Sequence, residues 1–314
     1  MNTLWDLFQI LIFPGFLFLG VYGLIFEFLD RKMVARLQNR VGPPWYQPLA
    51  DFLKLLGKEV IIPEEADRKV FPVLPVIALA AVTAAFLYVP TYKVGSLYPF
   101  EGDLIVLLYL LTLPTLTFFL AGWYSTSVYA TIGSVRVLTQ LFSYEVPLFM
   151  ALLSPALLAE TWSLSKMALF YSQHPLYVLI NLPALAVAII ACQGKLERVP
   201  FDLPEAETEI VTGAFVEYGG RLYAIFRMAI DAELVVVSSI IAAVFLPFYS
   251  VIPWLGMLLY VLRTLVVLFV LALFRAVMAR VRIEQMVMFC WRYLTPLAIL
   301  QIIINLIVRG VLPL

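Results

Sequence analysis

The residues of this sequence that are best suited to chemistry are five carboxylates crowded into residues 197–209. They are Glu197, Asp202, Glu205, Glu207 and Glu209, and apolar side chains separate them. The stretch lies between two long apolar segments, where an ionised carboxylate is costly, so the cluster marks a functional site by default. The simplest interpretation is a path for protons or ions, or a switch that responds to charge.

The crowding of like charges predicts unusual titration. Neighbouring carboxylates repel one another, so the pKa of at least one of them is expected to rise, which suits uptake and release of a proton. If the segment is helical, Glu205 and Glu209 lie one turn apart on the same face. Glu217 follows in the same stretch, and Asp231 and Glu233 then enter the next apolar segment. A solvated acidic loop is the alternative, and the interleaved apolar residues disfavour it.

A second polar set precedes the fourth apolar segment. It contains Arg136, which is the only basic residue of its connection, followed by Gln140 and Glu145. A carboxylate that enters a membrane needs a partner or water, so Glu145 is a candidate for the same path. A glutamate that starts a helix, where the helix dipole favours negative charge, explains the pattern equally well.

A third set lies in the first connecting loop. Glu27 and Arg31 stand four residues apart and can pair on a helix. Arg36 and Arg40 follow before the turn Gly42-Pro43-Pro44. A solvated charged face that anchors the chain is the alternative to a docking surface.

A basic patch precedes the last apolar segment. It contains Arg275, Arg280, Arg282 and Arg292. Binding of anionic lipid, docking of an acidic partner surface and a purely topogenic role all explain it. Arg263, alone within an apolar segment, is expected to pair with a carboxylate of another helix or to face water.

The composition bounds what can surround these residues. Of 314 residues, 63% are hydrophobic, against roughly 45–50% in soluble domains. One His and two Cys disfavour a disulfide scaffold, a zinc, haem or cluster site and a histidine-based triad. Lys+Arg and Asp+Glu balance at 21 each, so nothing favours a nucleic-acid partner.

The apolar runs predict an all-α polytopic membrane protein, formed as one domain over residues 1–314. Each run is long enough to cross a bilayer of about 30 Å. An amphipathic helix at the interface is expected over 45–58, where Leu49 and Leu53 alternate with Asp51 and Lys54 at helical spacing. We expect about eight spans, near 5–29, 70–90, 103–123, 143–160, 176–194, 228–249, 253–275 and 292–312.

The distribution of basic residues predicts the orientation. All but four of the 21 Lys and Arg residues lie in the odd-numbered connections between these spans. Since cytoplasmic loops carry the excess of positive charge, the long odd-numbered loops are expected in the cytoplasm and both termini outside, in the cell membrane.

Four motifs, in order along residues 27–296, resemble the NuoH family, which is the subunit 1 family of respiratory complex I and its hydrogenase relatives. The first contains Arg36 to Pro44, Gln47 to Leu55 and Lys58-Glu59, and the second contains Gly133 to Arg136 and Ser143-Tyr144-Glu145. The third and most specific is Pro200-Phe201-Asp202-Leu203-Pro204-Glu205-Ala206-Glu207 with Glu217-Tyr218. The last contains Arg282, Glu284-Gln285 and Trp291-Arg292, although the family more often has Asp at position 284.

The resemblance implies an eight-helix membrane subunit at the joint between a peripheral redox arm and an ion-pumping arm. It implies that Glu145, Glu205, Glu207 and Glu209 line a polar path, to which we add Glu217 and Asp231. A family glutamate of the sixth span corresponds here to Ile230, with Asp231 beside it. The residues that we assign to docking of the peripheral arm and to charge pairing are Glu27, Arg31, Arg36, Arg40, Arg136, Arg198, Asp202 and Arg282.

The short connection from Gly42 to Pro48 resembles the version in membrane-bound nickel–iron hydrogenases. The resemblance then implies a non-catalytic subunit in a ferredoxin-driven complex that moves H⁺ or Na⁺. The partners would be large and small hydrogenase-like subunits, an iron–sulfur subunit, antiporter-like membrane subunits and the lipid bilayer. Iron–sulfur clusters and a nickel–iron site would belong to those partners, and this chain would hold no cofactor. The alternatives are a sulfane or polysulfide reductase, a quinone-reducing complex and a stand-alone ion transporter.

Overall fold

The computed structural model describes residues 3–311, except for the side chains of Thr3, Leu4, Glu207 and Thr208. Over this range the chain is helical and contains no strand. A 3-10 turn at Gly213–Phe215 and a π turn at Cys290–Leu294 supplement the α-helices. The α-helices are α1 (Thr3–Leu11), α2 (Phe16–Leu37), α3 (Gln47–Gly57), α4 (Val73–Leu87), α5 (Asp103–Tyr124), α6 (Val128–Ala159), α7 (Leu164–Gln173), α8 (Leu176–Ile180), α9 (Leu182–Lys195), α10 (Glu207–Ile210), α11 (Gly220–Phe245), α12 (Pro253–Val277), α13 (Ile283–Phe289) and α14 (Thr295–Val311).

The polytopic all-α class is confirmed. Among the described residues, six helical stretches are long and apolar enough to cross a membrane, and α4 and α9 are shorter apolar helices. Together these eight match the eight predicted segments in order. The six longer stretches are Trp5–Leu37, Asp103–Tyr124, Val128–Ala159, Gly220–Phe245, Pro253–Val277 and Ile283–Val311.

Helix α11 is the central helix of the bundle. It packs against α2, α4 and α12, and every residue from Asp231 to Phe245 is buried. A helix that is apolar on all sides is expected at the centre of a bundle rather than at its edge. Around it, α6 packs against α5, α9 and α14, so that the cluster of charged residues described below is enclosed by packed helices.

Several helix ends differ from the predicted spans. Helix α6 begins at Val128 rather than near 143, so Arg136 lies within a helix rather than in a loop. Its first half carries polar side chains that are buried, among them Ser134 and Gln140, and these lower the average hydropathy without breaking the helix. Helix α11 likewise begins at Gly220, eight residues before the predicted start near 228.

A helix is present where the interfacial helix is predicted. Helix α3 covers Gln47–Gly57 and has Pro48 in its first turn, where a missing N–H costs nothing. Leu49 and Leu53 remain 45% and 57% exposed, which leaves an apolar face of α3 uncovered by the rest of the chain. The other side of α3 packs against α2 and α11.

The acidic segment is not one continuous helix, which corrects the expectation for Glu205 and Glu209. Glu205 lies in a turn, and only Glu207–Ile210 is helical. At Gly213 the backbone of this segment packs closely against the backbone of Pro204. Its φ is +55°, and a Cβ added there would lie 1.7 Å from the carbonyl oxygen of Pro204. Only glycine fits such an approach at positive φ.

Candidate functional site

A cluster of buried ion pairs begins at the inner end of α2. Glu27 is 4% exposed and contacts three guanidinium groups, those of Arg31 at 2.6 Å, Arg198 at 3.1 Å and Arg227 at 3.2 Å. A buried carboxylate is tolerated when charged partners of this kind replace its water. Glu27 therefore ties α2 to α11 and to the segment that follows α9.

Asp30 extends the same cluster one turn further along α2. It is 1% exposed and lies 2.6 Å from Arg198 and 2.5 Å from Arg275. Arg198 thus bridges two carboxylates of α2, and Arg275 connects α12 to the same cluster. Arg31 also contacts Asp51 at 3.2 Å, which attaches α3.

A second ion pair is buried among the helices. Lys195, at the end of α9, lies 2.7 Å from Glu233 of α11, and both side chains are 2% exposed. The ammonium also donates to the carbonyl of Leu111 at 2.5 Å and lies 3.4 Å from the hydroxyl of Thr115. Both acceptors are in α5 on either side of Pro114, where proline interrupts the helix hydrogen bonds.

A polar cavity connects the two ion-pair groups to the acidic segment. Its volume is about 340 Å³, and since a water in the liquid occupies about 30 Å³, it has room for several waters. It is lined by Glu27, Arg31, Phe118, Lys195, Leu196, Glu197, Arg198, Val199, Asp202, Glu205, Arg227, Ile230, Glu233, Arg275 and Arg280.

The acidic segment is held over this cavity by hydrogen bonds and ion pairs. Gln140, buried in α6, donates to the carbonyls of Gly194 at 2.7 Å and Phe201 at 2.9 Å. Arg136 pairs with Glu209 at 2.5 Å, and Arg280 pairs with Asp202. The segment is therefore fixed at both sides, by α6 and by the residues after α12.

Glu197 is a strongly perturbed carboxylate that lies outside the spanning helices. Its φ is +51°, a region that residues other than glycine seldom adopt, and its Oε1 is buried without a hydrogen-bond partner. Burial, then the negative charges of Glu205 and Glu233, raise the pKa of Glu197 well above its usual value. Burial, rather than the predicted repulsion between neighbouring carboxylates, is the main cause.

A smaller cavity of about 320 Å³ opens between α2, α3 and α11. Glu27, Arg31 and Arg227 line both cavities. Its other walls include Leu24, Phe52 and Asp231, so it combines an apolar side with a charged floor. A ligand with an apolar body and a polar head would match that character.

Comparison with known proteins identifies the family. The family model described as NADH dehydrogenase matches residues 8–306. The chain belongs to the NuoH family. It is 33% identical over 302 residues to the corresponding NADH-quinone oxidoreductase subunit of Dehalococcoides mccartyi, covering 93% of this chain and 83% of that one. It is 35% identical over 312 residues to NADH-quinone oxidoreductase subunit 8 of Thermus thermophilus, covering 92% and 85%.

A solved structure supports the same conclusion. The chain is similar to one in the structure of the membrane-bound sulfane sulfur reductase, an archaeal respiratory membrane complex. The TM-score is 0.83 at 27% identity, over 92% of this chain and 96% of that chain. The match therefore extends over nearly the whole NuoH-like bundle.

The structure brings some of the predicted path residues together and leaves others apart. Glu205 lines the polar cavity, and Asp231 is 6% exposed and lies 3.6 Å from Arg227. Glu145 is half-buried on α6 and lines neither cavity. Glu217 is half-buried in the turn before α11, outside both cavities. The side chain of Glu207 lies outside the described residues.

The predicted docking residues fall into two groups, those held in ion pairs and those exposed at the surface. Glu27, Arg31, Arg136, Arg198 and Asp202 are all engaged in the ion pairs given above. Arg36, Arg40 and Arg282 are exposed, which leaves their guanidinium groups accessible to a partner. Arg282 precedes α13, where its backbone N–H donates to the side chain of Gln285 at 3.0 Å.

The expectation for Arg263 is wrong. Arg263 is 4% exposed and donates to the carbonyls of Thr91 at 3.0 Å and Leu246 at 3.2 Å. Its guanidinium also lies 4.1 Å from the ring centre of Tyr249. Backbone carbonyls and an aromatic face, rather than a carboxylate, compensate this charge.

Sequence reasoning missed the central roles of Lys195 and Asp30. Lys195 ends an apolar run, and a lysine at such a position can either begin the exposed loop that follows or be buried. The partners Glu233 and Arg275 lie far away along the chain, so only the fold reveals the pairs.

Proposed function

We propose that this chain is the non-catalytic membrane subunit at the junction of a peripheral redox arm and an ion-pumping arm, in a ferredoxin-driven complex of the membrane-bound nickel–iron hydrogenase type. NuoH proteins are membrane subunits of complex I-like respiratory complexes. The observation that supports the junction role is the polar cavity, which joins the acidic segment to the enclosed pair of Lys195 and Glu233.

The carboxylates of the proposed coupling path differ in how deeply they are buried. Glu209 is 55% exposed and Glu205 lines the cavity, whereas Glu233 is 2% exposed between α9, α5 and α11. A change of charge at the acidic segment can therefore act on a buried ion pair through a cavity with room for water. We assign Glu145, Glu207, Glu217 and Asp231 to the same path.

The proposed docking face is formed by residues 30–69 and 195–227 with the patch around Arg282. Arg36 and Arg40 are exposed beside the turn at Gly42, and an exposed basic surface suits an acidic partner. The partners proposed here are large and small hydrogenase-like subunits, an iron–sulfur subunit and antiporter-like membrane subunits, with ferredoxin as electron donor. Among the described residues of this chain, no group of His, Cys, Asp or Glu forms a candidate metal site. Iron–sulfur clusters and a nickel–iron site are assigned to the partners.

The identity of the electron acceptor is tested with the native complex. We would purify the complex through a tag on this chain and supply reduced ferredoxin. Hydrogen evolution, with a nickel–iron subunit in the preparation, is the expected result. Reduction of polysulfide without hydrogen would contradict the hydrogenase type and favour a sulfane reductase, a possibility that the similarity to the sulfane sulfur reductase supports.

A quinone-reducing complex is the second candidate, and the cavity between α2, α3 and α11 favours it. The relatives compared above are NADH-quinone oxidoreductase subunits. In this case a quinone would enter beside α3, with its ring toward Arg31 and Asp51. Inhibition of the purified complex by quinone-site inhibitors would support this role, and complete indifference would contradict it.

A further inference from the structure

We propose that a third cavity, between α9, the end of α12 and α13, binds one anionic phospholipid, with an acyl chain inside the cavity and the phosphate at Arg292. Among the described residues, this cavity shares no lining residue with the two cavities above. Lipid binding there does not depend on the coupling path. Of the three explanations given above for the basic patch before the last span, the cavity favours the binding of anionic lipid.

The first support is the size and lining of this cavity. Its volume is about 580 Å³, within the range of roughly 300–1,000 Å³ that is typical of small-molecule sites. Methionine side chains in its walls can adapt to a flexible partner, so the lining suits a hydrocarbon chain. The apolar walls come from three helices and from the acidic segment, and they include Ile190, Phe201, Phe274, Met278, Met286 and Phe289.

The second support is the depth of the cavity in the bundle. It lies where α9 ends at Lys195 and α12 ends at Val277. Trp291 and Tyr293 beside it are 50% and 58% exposed, and such aromatic side chains favour the level of the lipid head groups. The charge bias assigns this end of the helices to the cytoplasmic side, where anionic lipids give the membrane surface its negative potential. A phospholipid is therefore the molecule available to fill the cavity at this depth.

The third support is a cation without a counter-ion at the edge of the cavity. Arg275 and Arg280 of the basic patch are paired with carboxylates. Arg292 is exposed, and among the residues that the structure describes it contacts the ring of Tyr293 at 5.9 Å but forms no ion pair. The π turn at Cys290–Leu294 places it in the cavity wall, and π turns inside helices often occur at functional sites. A phosphate can accept two parallel N–H bonds from such a guanidinium.

The fourth support is an unused hydrogen-bond acceptor in the wall. Gln193 lines the cavity and is 1% exposed. Its Nε2 donates to the carbonyls of Val199 at 2.7 Å and Leu271 at 3.3 Å. Its Oε1, however, is buried and has no hydrogen-bond partner among the described residues. A buried acceptor calls for a donor, and a hydroxyl of a glycerol head group, as in phosphatidylglycerol, can supply it.

The bound lipid would support the acidic segment from the side opposite the polar cavity. Pro200 and Phe201 form part of the wall, and the backbone N–H of Val281 donates to the carbonyl of Pro200 at 3.1 Å. Apolar walls that enclose an empty space lose contacts that an occupant restores. An acyl chain in the cavity is therefore expected to hold this part of the segment in place.

The test uses the native complex in phosphatidylcholine vesicles that contain a phosphatidylglycerol probe with a photoreactive diazirine on one acyl chain. After illumination, mass spectrometry should find the probe attached to peptides that contain Met278, Met286 or Phe289. A phosphatidylcholine probe with the same diazirine has no net charge and no head-group hydroxyl. It should label these peptides about tenfold less at equal concentration.

Two variants test the parts of the site separately. Arg292→Gln should raise the probe concentration for half-maximal labelling by about tenfold, the factor expected for loss of a hydrogen bond to a charged group. Arg309→Gln is its control, because Arg309 pairs with Glu160 at 2.6 Å near the other end of α14. Ala279→Trp should abolish labelling, since Ala279 is exposed in the cavity wall and an indole there can occupy the space. Val277→Trp is the matched control, because Val277 is 71% exposed and does not line the cavity.

The remaining outcomes would overturn the proposal. Equal labelling of the cavity peptides by both probes, or by the phosphatidylglycerol probe in Arg292→Gln and the unmodified complex, would show that the site does not select an anionic head group. Labelling elsewhere on the chain with none at the cavity peptides would show that a segment of another subunit, rather than a lipid, fills the cavity.

Discussion

At the residue scale, Arg198 is the side chain that connects most of the cluster. It contacts Glu27 at 3.1 Å and Asp30 at 2.6 Å, and all three side chains are at least nine-tenths buried. Removing one partner of a buried charge pair is more harmful than replacing the whole pair, since the remaining charges stay buried without compensation.

We therefore expect Arg198→Gln to destabilise the bundle by about 3–5 kcal/mol, the range for a broken buried pair. The measurement is the thermal unfolding temperature of the purified complex in detergent. Arg36→Gln is the control, because Arg36 is exposed, and its effect should be within about 0.5 kcal/mol. Equal unfolding temperatures for the two variants would show that Arg198 does not hold the cluster together.

The pH dependence of stability follows from Glu197. Its pKa is raised in the folded chain, chiefly by burial, so the folded state binds a proton that the unfolded state has lost. Stability should then fall as the pH rises from about 4.3, the usual pKa of Glu, up through the raised pKa. Glu197→Gln removes this loss, so unfolding temperatures measured across that range should decline less steeply in the variant. A decline of the same steepness would assign the effect to another group.

Candidate residues that belong to local sequence motifs could be predicted from the sequence, whereas their distant partners could not. The acidic segment is visible there because Glu205 and Glu209 stand close together in the chain. The contact of Arg198 with Glu27 spans 171 residues, and no periodicity or spacing encodes such a pair. Local patterns therefore indicate the candidate residues, and tertiary packing decides their partners.

At the element scale, the acidic segment and the turn that follows it are positioned by close contact between their backbone and that of α6. Gly133 of α6 lies where a Cβ would be 2.5 Å from the backbone nitrogen of Ala214. The 3-10 turn at Gly213–Phe215 can lie against α6 only because this position has no side chain.

Gly133→Val is accordingly expected to displace the turn and to cost about 1–3 kcal/mol through overpacking. Gly310→Ala provides a matched control, because no atom lies within 4 Å of the added Cβ, and alanine is favoured in helices by up to about 1 kcal/mol. Limited proteolysis of the loop after α9, together with the unfolding temperature, reports both effects. A valine variant as resistant as the unmodified chain would mean that the turn tolerates displacement.

Helix centres could be predicted and helix ends could not. Averaged hydropathy locates the apolar middle of α6, but its first half contains buried polar residues such as Gln140, which bonds to two carbonyls of the site. A polar stretch inside a helix resembles a loop until its partners are known. The first turns of α11 likewise carry charged residues, Arg221 and Arg227, which resemble a loop in the sequence.

At the scale of the whole molecule, the charges predict which side faces the cytoplasm. Both cysteines, Cys192 and Cys290, are buried, so an added surface cysteine can be labelled cleanly. Val251 is 98% exposed and Val41 is 74% exposed, in connections that the charge bias assigns to opposite sides. We expect a membrane-impermeant thiol reagent added to intact cells to label Val251→Cys and to leave Val41→Cys unlabelled. The reverse pattern would invert the topology.

The carboxylates of this subunit are proposed to couple electron transfer to ion movement. The number of ions moved per electron tests this role most directly. The measurement uses sealed vesicles that contain Glu205→Gln or Glu145→Gln. Glu160→Gln is the control, because Glu160 is exposed and pairs with Arg309 away from the cavity. We predict that electron transfer persists in all three variants, while ion movement fails in the first two and continues in the control. Full ion movement in both Glu205→Gln and Glu145→Gln would contradict the coupling role.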